Sequence, residues 1–335
     1  MIKDEMLFID GLQLCKWDRE LLLDMREGGI NCIHASIGLW ENARETLSNI
    51  GQWNRFFLDN EDLILQVKKG EDILRAKEEG KIGVILGMQN ASLFEDELAL
   101  VEIFNQLGLK IVQLTYNNQN LIGSSCYEEN DPGLSRFGKN VIAEMNRVGM
   151  LIDLSHCGER TTLDAISVSS RPVAITHANP DWIYPAKRNK SREVLQALRD
   201  HDGILGLCLY PFLIGGPDTT LEEFCEMVAR TVDFMGVERV AIGTDLTLNQ
   251  DEQFLKWMRM GRWTFQVEYG AGSKDQPGWP PWPSWFQKPS DFGNIAEGLQ
   301  RHGFHADEVE AIMGKNWLRF FTESFKSEKE LSLCV

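Results

Sequence analysis

Along the chain, short runs of almost unbroken apolar residues alternate with longer stretches whose apolar side chains recur every three or four positions. The short runs are LFIDGL (7–12), INCIHAS (30–36), KIGVILG (81–87), KIVQLTY (110–116), MLIDLSH (150–156), PVAITH (172–177), GILGLCLY (203–210) and RVAIGTD (239–245). Runs apolar on both faces suit strands of a parallel sheet covered on both sides. Between them, WDRELLLDMREGG (17–29), a stretch running through residue 79, and LFEDELALVEIFNQLG (93–108) carry the helical period. Eight strand-then-helix units predict an α/β fold of the (β/α)8, TIM-barrel type, with a doubly wound sheet as the alternative.

No linker or low-complexity stretch divides the sequence, so residues 1–335 are expected to form a single barrel domain. The pattern is interrupted at 246–290, a segment dense in Trp, Pro and Gly that includes Trp263, Trp279, Trp282 and Trp285. Pro281 and Pro283 argue against regular structure there, which predicts a long ordered loop inserted after the eighth strand. Its tryptophans can form a lid or an aromatic wall for a cationic ligand, or pack on themselves or against a subunit. DFGNIAEGLQRHG (291–303) and DEVEAIMGKNWLRFFTESF (307–325) then read as closing helices.

Composition narrows the function classes. A formal net charge of −16 disfavours nucleic acid and anionic membrane surfaces as partners. No apolar run reaches transmembrane length, and MIKDEMLFIDG lacks the apolar stretch of a secretory signal. The seven cysteines are scattered without a CxxC pair, which suits reduced thiols and a cytoplasmic setting.

In a barrel of this type, chemistry belongs where strands give way to loops. Those positions carry Asp10, Gln89, Tyr116 with Asn117, His156, His177, Tyr210 and Asp245. Two histidines ending consecutive strands, with a carboxylate on a third, can converge on one centre and hold a metal. Each also has a bland reading: a hydrogen-bonded strand-end histidine, a packed tyrosine, an aspartate fixing a loop. His34, inside an apolar run, reads as a satisfied core histidine, while His201, His302 and His305 read as surface residues.

The segments MNRVGMLIDLSH, RPVAITHAN, KRN, VAIGTD and FGNIAEGL, in this order, resemble the membrane (renal-type) dipeptidases of the amidohydrolase superfamily. The resemblance runs from about residue 7 to 322. It implies a barrel with a two-zinc centre that hydrolyses dipeptides, often as a dimer. It places His156 and His177 as ligands of the second metal, Asp245 as the proton-transfer carboxylate, Arg188 on the substrate, and Tyr210 as an aromatic substrate contact. Asn117 and Trp282 are further candidates for substrate contact.

The departures from the family pattern fall in one place. Leu12 and Leu14 of DGLQL stand where the first metal's His and Asp are expected, Gln89 of GMQN replaces the bridging glutamate, and Tyr116 replaces a histidine near the scissile carbonyl. Leucine offers a metal no lone pair, and a neutral amide is a poor bridge between two cations. The expectation is at most one zinc, weakly bound or absent, on His156 and His177, with Gln89, Asp245 or water completing the shell. The leading functional expectation is a dipeptidase-like hydrolase acting on an amide or peptide bond in a small zwitterionic molecule. Asp245 would act on the proton and Tyr116 would donate to the oxyanion. The alternatives are a degenerate small-metabolite-binding protein, or a lyase or isomerase using Asp245 and a histidine.

Overall fold

The computed structural model describes residues 6–262, 264, 265, 267, 270, 274, 275 and 277–333. Its strands are β1 (Phe8–Gln13), β2 (Ile30–Ser36), β3 (Ile64–Gln66), β4 (Ile82–Met88), β5 (Leu109–Gln113), β6 (Leu151–Asp153), β7 (Ala174–Ile175), β8 (Ile204–Leu207) and β9 (Val240–Ile242). Every pairing is parallel, in the order β1-β2-β4-β5-β6-β7-β8-β9. The ring closes beyond the end of β9: the amide of Asp245 donates to the Leu12 carbonyl at 3.0 Å and that of Leu14 to the Leu246 carbonyl at 2.9 Å. This is the expected (β/α)8 barrel, and all eight apolar runs contribute a strand to it.

Period-two alternation decides which side chain faces which layer. On β1, Phe8 points outward and meets Phe292 of the helical layer at 5.6 Å. Its neighbour Ile9 points inward, in a cluster with Cys32, Ile85, Ile111, Leu151, Ala174, Ile204 and Ala241, one from each strand of the ring. The same cluster contains Trp317, whose indole donates to the Ile242 carbonyl at 2.8 Å. Trp317 fills the lower barrel so tightly that a Cβ on Gly11 would lie 2.6 Å from its ring. The closing helices therefore plug the barrel as well as cover it.

Outside the strands lie α1 (Arg19–Glu27), α2 (Ala43–Asp59), α3 (Glu71–Glu78), α4 (Ala99–Gln106), α5 (Arg136–Val148), α6 (Glu159–Val168), α7 (Arg192–Asp200) and α8 (Leu221–Met235). Then come α9 (Glu252–Met260), α10 (Phe292–His302), α11 (Ala306–Glu310), α12 (Asn316–Ser324) and α13 (Glu328–Ser332). Their starts are set by side chains that accept from orphan backbone N–H groups: Asp18 for α1, Ser135 for α5, and reciprocal capping boxes at Asn42/Glu45 and Thr220/Glu223 for α2 and α8. Among the described residues no helix is long and apolar enough to cross a membrane.

Two features differ from the sequence reading. The stretch expected to be helical through residue 79 is broken by β3, which pairs with the first half of β4 on the edge whose second half takes β5. Three residues are too few for a periodic signal. The segment 246–290 is not loop throughout, because Asp251 caps α9 by accepting from the Phe254 amide at 2.8 Å. The prolines that forbid regular structure begin only at Pro277. Trp263 lies outside the described residues.

Candidate active site

His156 and His177 follow the short strands β6 and β7, and their ring centroids are 5.3 Å apart. Both are buried. Each is held in a defined tautomer by a partner at Nδ1. For His156 that partner is the Asn117 side-chain oxygen at 2.8 Å, and for His177 the Thr176 hydroxyl at 2.7 Å. Thr176 in turn donates to Asp153 at 2.8 Å, so His177 is the donor to Thr176 Oγ1. In both rings Nδ1 carries the proton and Nε2 presents its lone pair. Burial, followed by the charge of Arg188, holds both imidazoles well below their ordinary pKa. They are neutral at physiological pH.

Both lone pairs already receive a hydrogen bond. Arg188, buried on the segment after β7, aims Nη1 at His156 Nε2, while its Nη2 donates to the His177 carbonyl at 2.7 Å. The Gln89 amide nitrogen meets His177 Nε2 at 3.3 Å, leaving Gln89 Oε1 buried without a partner. Buried Lys190, donating to the carbonyls of Leu154 and Cys157, adds a second positive charge near both rings.

Asp245 follows β9 with φ 60°, a left-handed backbone that aspartate tolerates better than most side chains. Its carboxylate lies 3.9 Å from Arg188 Nη2 and has only a long contact to the Cys208 thiol. Burial pushes its pKa up to about 7, against the opposing pull of Arg188. Its neighbour Thr244 is clasped by Asp10, which accepts from the Thr244 amide at 2.8 Å and from its hydroxyl at 2.6 Å. Asp10 is thus a buried clasp between β1 and the end of β9.

Tyr116 stacks on His156 with centroids 4.3 Å apart, and burial keeps its phenol protonated. Behind it, Leu14, Leu39 and Trp40 form an apolar cluster with Tyr116. Leu12 is fully buried and Leu14 nearly so, at 0% and 5% exposure. Hydrocarbon therefore fills this side of the barrel mouth.

These groups surround a cavity of about 50 Å3, lined by Leu14, Gln89, Tyr116, Asn117, His156, Arg188, Tyr210 and Asp245, and also by Tyr127, Met258 and Arg259. Every expected site residue except His177 and Trp282 lines it directly. His177 stands behind Gln89, and Trp282 packs edge-on against Tyr210 at 6.1 Å. Arg259, from α9, is the residue the sequence reading missed, because the segment around it was read as loop. Tyr127 belongs to the GSSCYEENDPG loop (123–133), between β5 and α5.

The residues present do not fit a resident metal. Leu12 and Leu14 offer no donor atoms, both imidazole lone pairs are taken by N–H donors, and a guanidinium stands where a cation would bind His156. Among the described residues no group of three or more His, Cys, Asp or Glu side chains is arranged to hold an ion. His34 also departs from expectation. Its Nδ1 pairs with the Gly11 carbonyl at 2.7 Å, but its buried Nε2 has no partner, so it is a core histidine only half satisfied.

Comparison with known proteins agrees with this architecture. A solved amidohydrolase from Pseudomonas aeruginosa superposes with a TM-score of 0.91 at 36% identity, over 97% of this chain and 98% of that one. A metallo peptidase from Rhodobacter sphaeroides, liganded with a phosphinate mimic of the dipeptide L-Ala-D-Ala, gives 0.79 at 16% identity over 96% and 99%, a likeness of fold alone. Dipeptidase tcpJ of Claviceps purpurea is 26% identical over 84% of this chain and 60% of its own length. An uncharacterized dipeptidase of Schizosaccharomyces pombe is 29% identical over 60% and 50%. The chain thus spans between half and three-fifths of these two curated relatives. The family model for membrane dipeptidases matches residues 20–252, most of the chain, and the protein belongs to that family, Peptidase family M19.

Proposed function

We propose that the chain hydrolyses an amide bond in a small zwitterionic, dipeptide-like molecule bound at the barrel mouth. The observation that carries this reading is that Asp245, Arg188, Tyr116 and His156 converge on one cavity in a chain of a dipeptidase family. A carboxylate with a pKa near 7 is suited to take a proton from an attacking water at neutral pH. As the water adds, the amide carbonyl oxygen becomes an anion. The protonated Tyr116 phenol is placed to donate to it, and the Arg188 charge to stabilise it. As the C–N bond breaks, the proton taken by Asp245 passes to the departing amine and the carbonyl side leaves as a carboxylic acid. Arg259 supplies a second positive group for a substrate carboxylate, while Tyr210, Asn117 and, behind Tyr210, Trp282 shape the remaining wall.

Of the expectation of at most one zinc, the hydrogen bonds on both imidazoles support the metal-free end, and no step above passes through an ion. The cavity admits only a water or two, so a dipeptide requires the side chains around it, Tyr127, Tyr210 and Arg259 among them, to draw back. The unpaired state of all six described cysteines supports a reducing, cytoplasmic setting, and a homodimer remains part of the proposal. The occupied lone pairs favour one competitor, a binding protein that holds a small carboxylate without turning it over.

Assay of the purified chain against L- and D-dipeptides and N-acyl amino acids separates the two. Hydrolysis lost in Asp245→Asn supports the first reading. Tight binding without turnover across the panel supports the second.

A further inference from the structure

We infer that Arg188 is the resident cation of this site: its guanidinium holds the position a zinc ion on His156 would take and so keeps divalent metal off that imidazole. Three observations on different atoms point the same way. Asn117 fixes the His156 tautomer so that Nε2, the nitrogen that would bind a metal, carries the free lone pair, and Arg188 Nη1 donates into that lone pair. The other end of the guanidinium is tied to the His177 carbonyl at 2.7 Å, so the arginine bridges the two histidine segments as a shared metal would. Asp245 lies 3.9 Å from Arg188 Nη2 and supplies the nearby negative charge.

The surroundings already hold two positive groups, and a divalent ion would raise the local charge to four. Arg188 and Lys190 are both buried, at 4% exposure each, and a divalent ion on His156 would be added beside them. The carboxylates and imidazole that would neutralise it are absent, because Leu12 and Leu14 occupy their places and Gln89 is uncharged. A guanidinium is also the side chain suited to this task, being permanently protonated and planar, with N–H groups that point at two acceptors at once. Arg188 Nε remains buried without a partner, a donor left over for an anionic ligand.

The test uses metal binding alone and does not depend on any assay of turnover. Protein purified without chelators is analysed for zinc, then titrated with Co(II) and Zn(II) by calorimetry and visible spectroscopy. The set is wild type, Arg188→Met, and Arg188→Met combined with His156→Ala. Wild type is expected to carry well under one zinc per chain and to bind neither ion tightly. R188M is expected to gain a Co(II) site at least roughly a hundredfold tighter, because a like charge at contact distance has been removed. The double variant should lose that site again. One equivalent of tightly held zinc in wild type overturns the inference, as does a folded R188M that binds no better than wild type. Should R188M fail to fold, Arg188→Lys keeps the charge without the planar fork. Co(II) binding by R188K tighter than by wild type supports the inference, and binding no tighter than by wild type overturns it.

Discussion

At the scale of single residues, the chemistry of this site follows from what each buried polar atom is given as a partner. Asp245 receives little, so burial dominates and its proton is held up to about pH 7. An exposed aspartate releases its proton near pH 4. Between those values the folded chain holds a proton on Asp245 that the unfolded chain releases. This group's contribution to the free energy of unfolding therefore falls as pH rises from about 4 to 7, opposite in sign to that of the buried neutral histidines. Asp10, its pKa pushed by burial up to about 6, adds to the same slope. Activity that needs the ionised Asp245 rises over the same interval, so turnover and the Asp245 contribution to stability, taken as the difference between wild type and Asp245→Asn, should run in opposite directions. Urea midpoints and kcat/KM measured from pH 5 to 8 test this. Asp245→Asn should remove that falling contribution, so that its stability gains on wild type as pH rises from about 5 to 7, while turnover is abolished. An unchanged pH dependence would mean that Asp245 does not titrate in this range. Tyr116→Phe keeps the packing on His156 and Trp40 but removes the donor. A fall in kcat of about 100- to 1,000-fold with KM little changed is expected. A change confined to KM would make Tyr116 a wall.

At the scale of elements, the strand ends carry the site because the ladders stop early. β6 and β7 are three and two residues long, which frees Ser155 to Cys157 and Thr176 to Ala178 to turn polar groups into the barrel mouth. Below them, His34 on β2 lies across β4 at Gly87, where an added Cβ would sit 1.8 Å from His34 Nε2. Gly87→Ala should therefore destabilise the protein by about 1–3 kcal/mol through overpacking. The addition of His34→Ala should recover most of that loss in a denaturant titration. Without recovery, the clash is not the cause. Gly87 lies two residues before Gln89, so the single variant should also disturb the Gln89–His177 contact.

At the scale of the whole molecule, the two ends of the barrel do different work. The lower end is sealed by the last helices. Trp317 stacks on Phe321 with centroids 4.9 Å apart and touches strands from both sides of the seam. Trp317→Ala is expected to cost about 3–5 kcal/mol, seen as a lower urea midpoint, with kcat changed far less than stability. An equal loss of activity under fully folding conditions would mean that the plug positions the mouth as well. The upper end is built from segments that meet only through closure: Asp10 and Leu12 from the first strand fix Thr244 and Asp245 from the last.

The sequence by itself determined the barrel and most of the membership of its mouth. Eight apolar runs of strand length separated by helical periods leave few other folds, and a polar residue directly after such a run has nowhere to go but the mouth. That is why His156, His177, Tyr116 and Asp245 were legible. It also put leucine at positions 12 and 14, side chains with no donor atom for a metal in any fold. Only the tertiary structure decided what stands in their place. AKRNKS reads equally well as a solvated basic cluster, and nothing local relates Arg188 to a histidine 32 residues earlier. Arg259 was illegible for a related reason, arriving from a helix inside a segment that prolines beginning only at Pro277 made read as loop throughout. Whether a lone pair is free, or already holds a hydrogen bond, depends on groups brought together by chain closure, and sequence spacing carries no information about that.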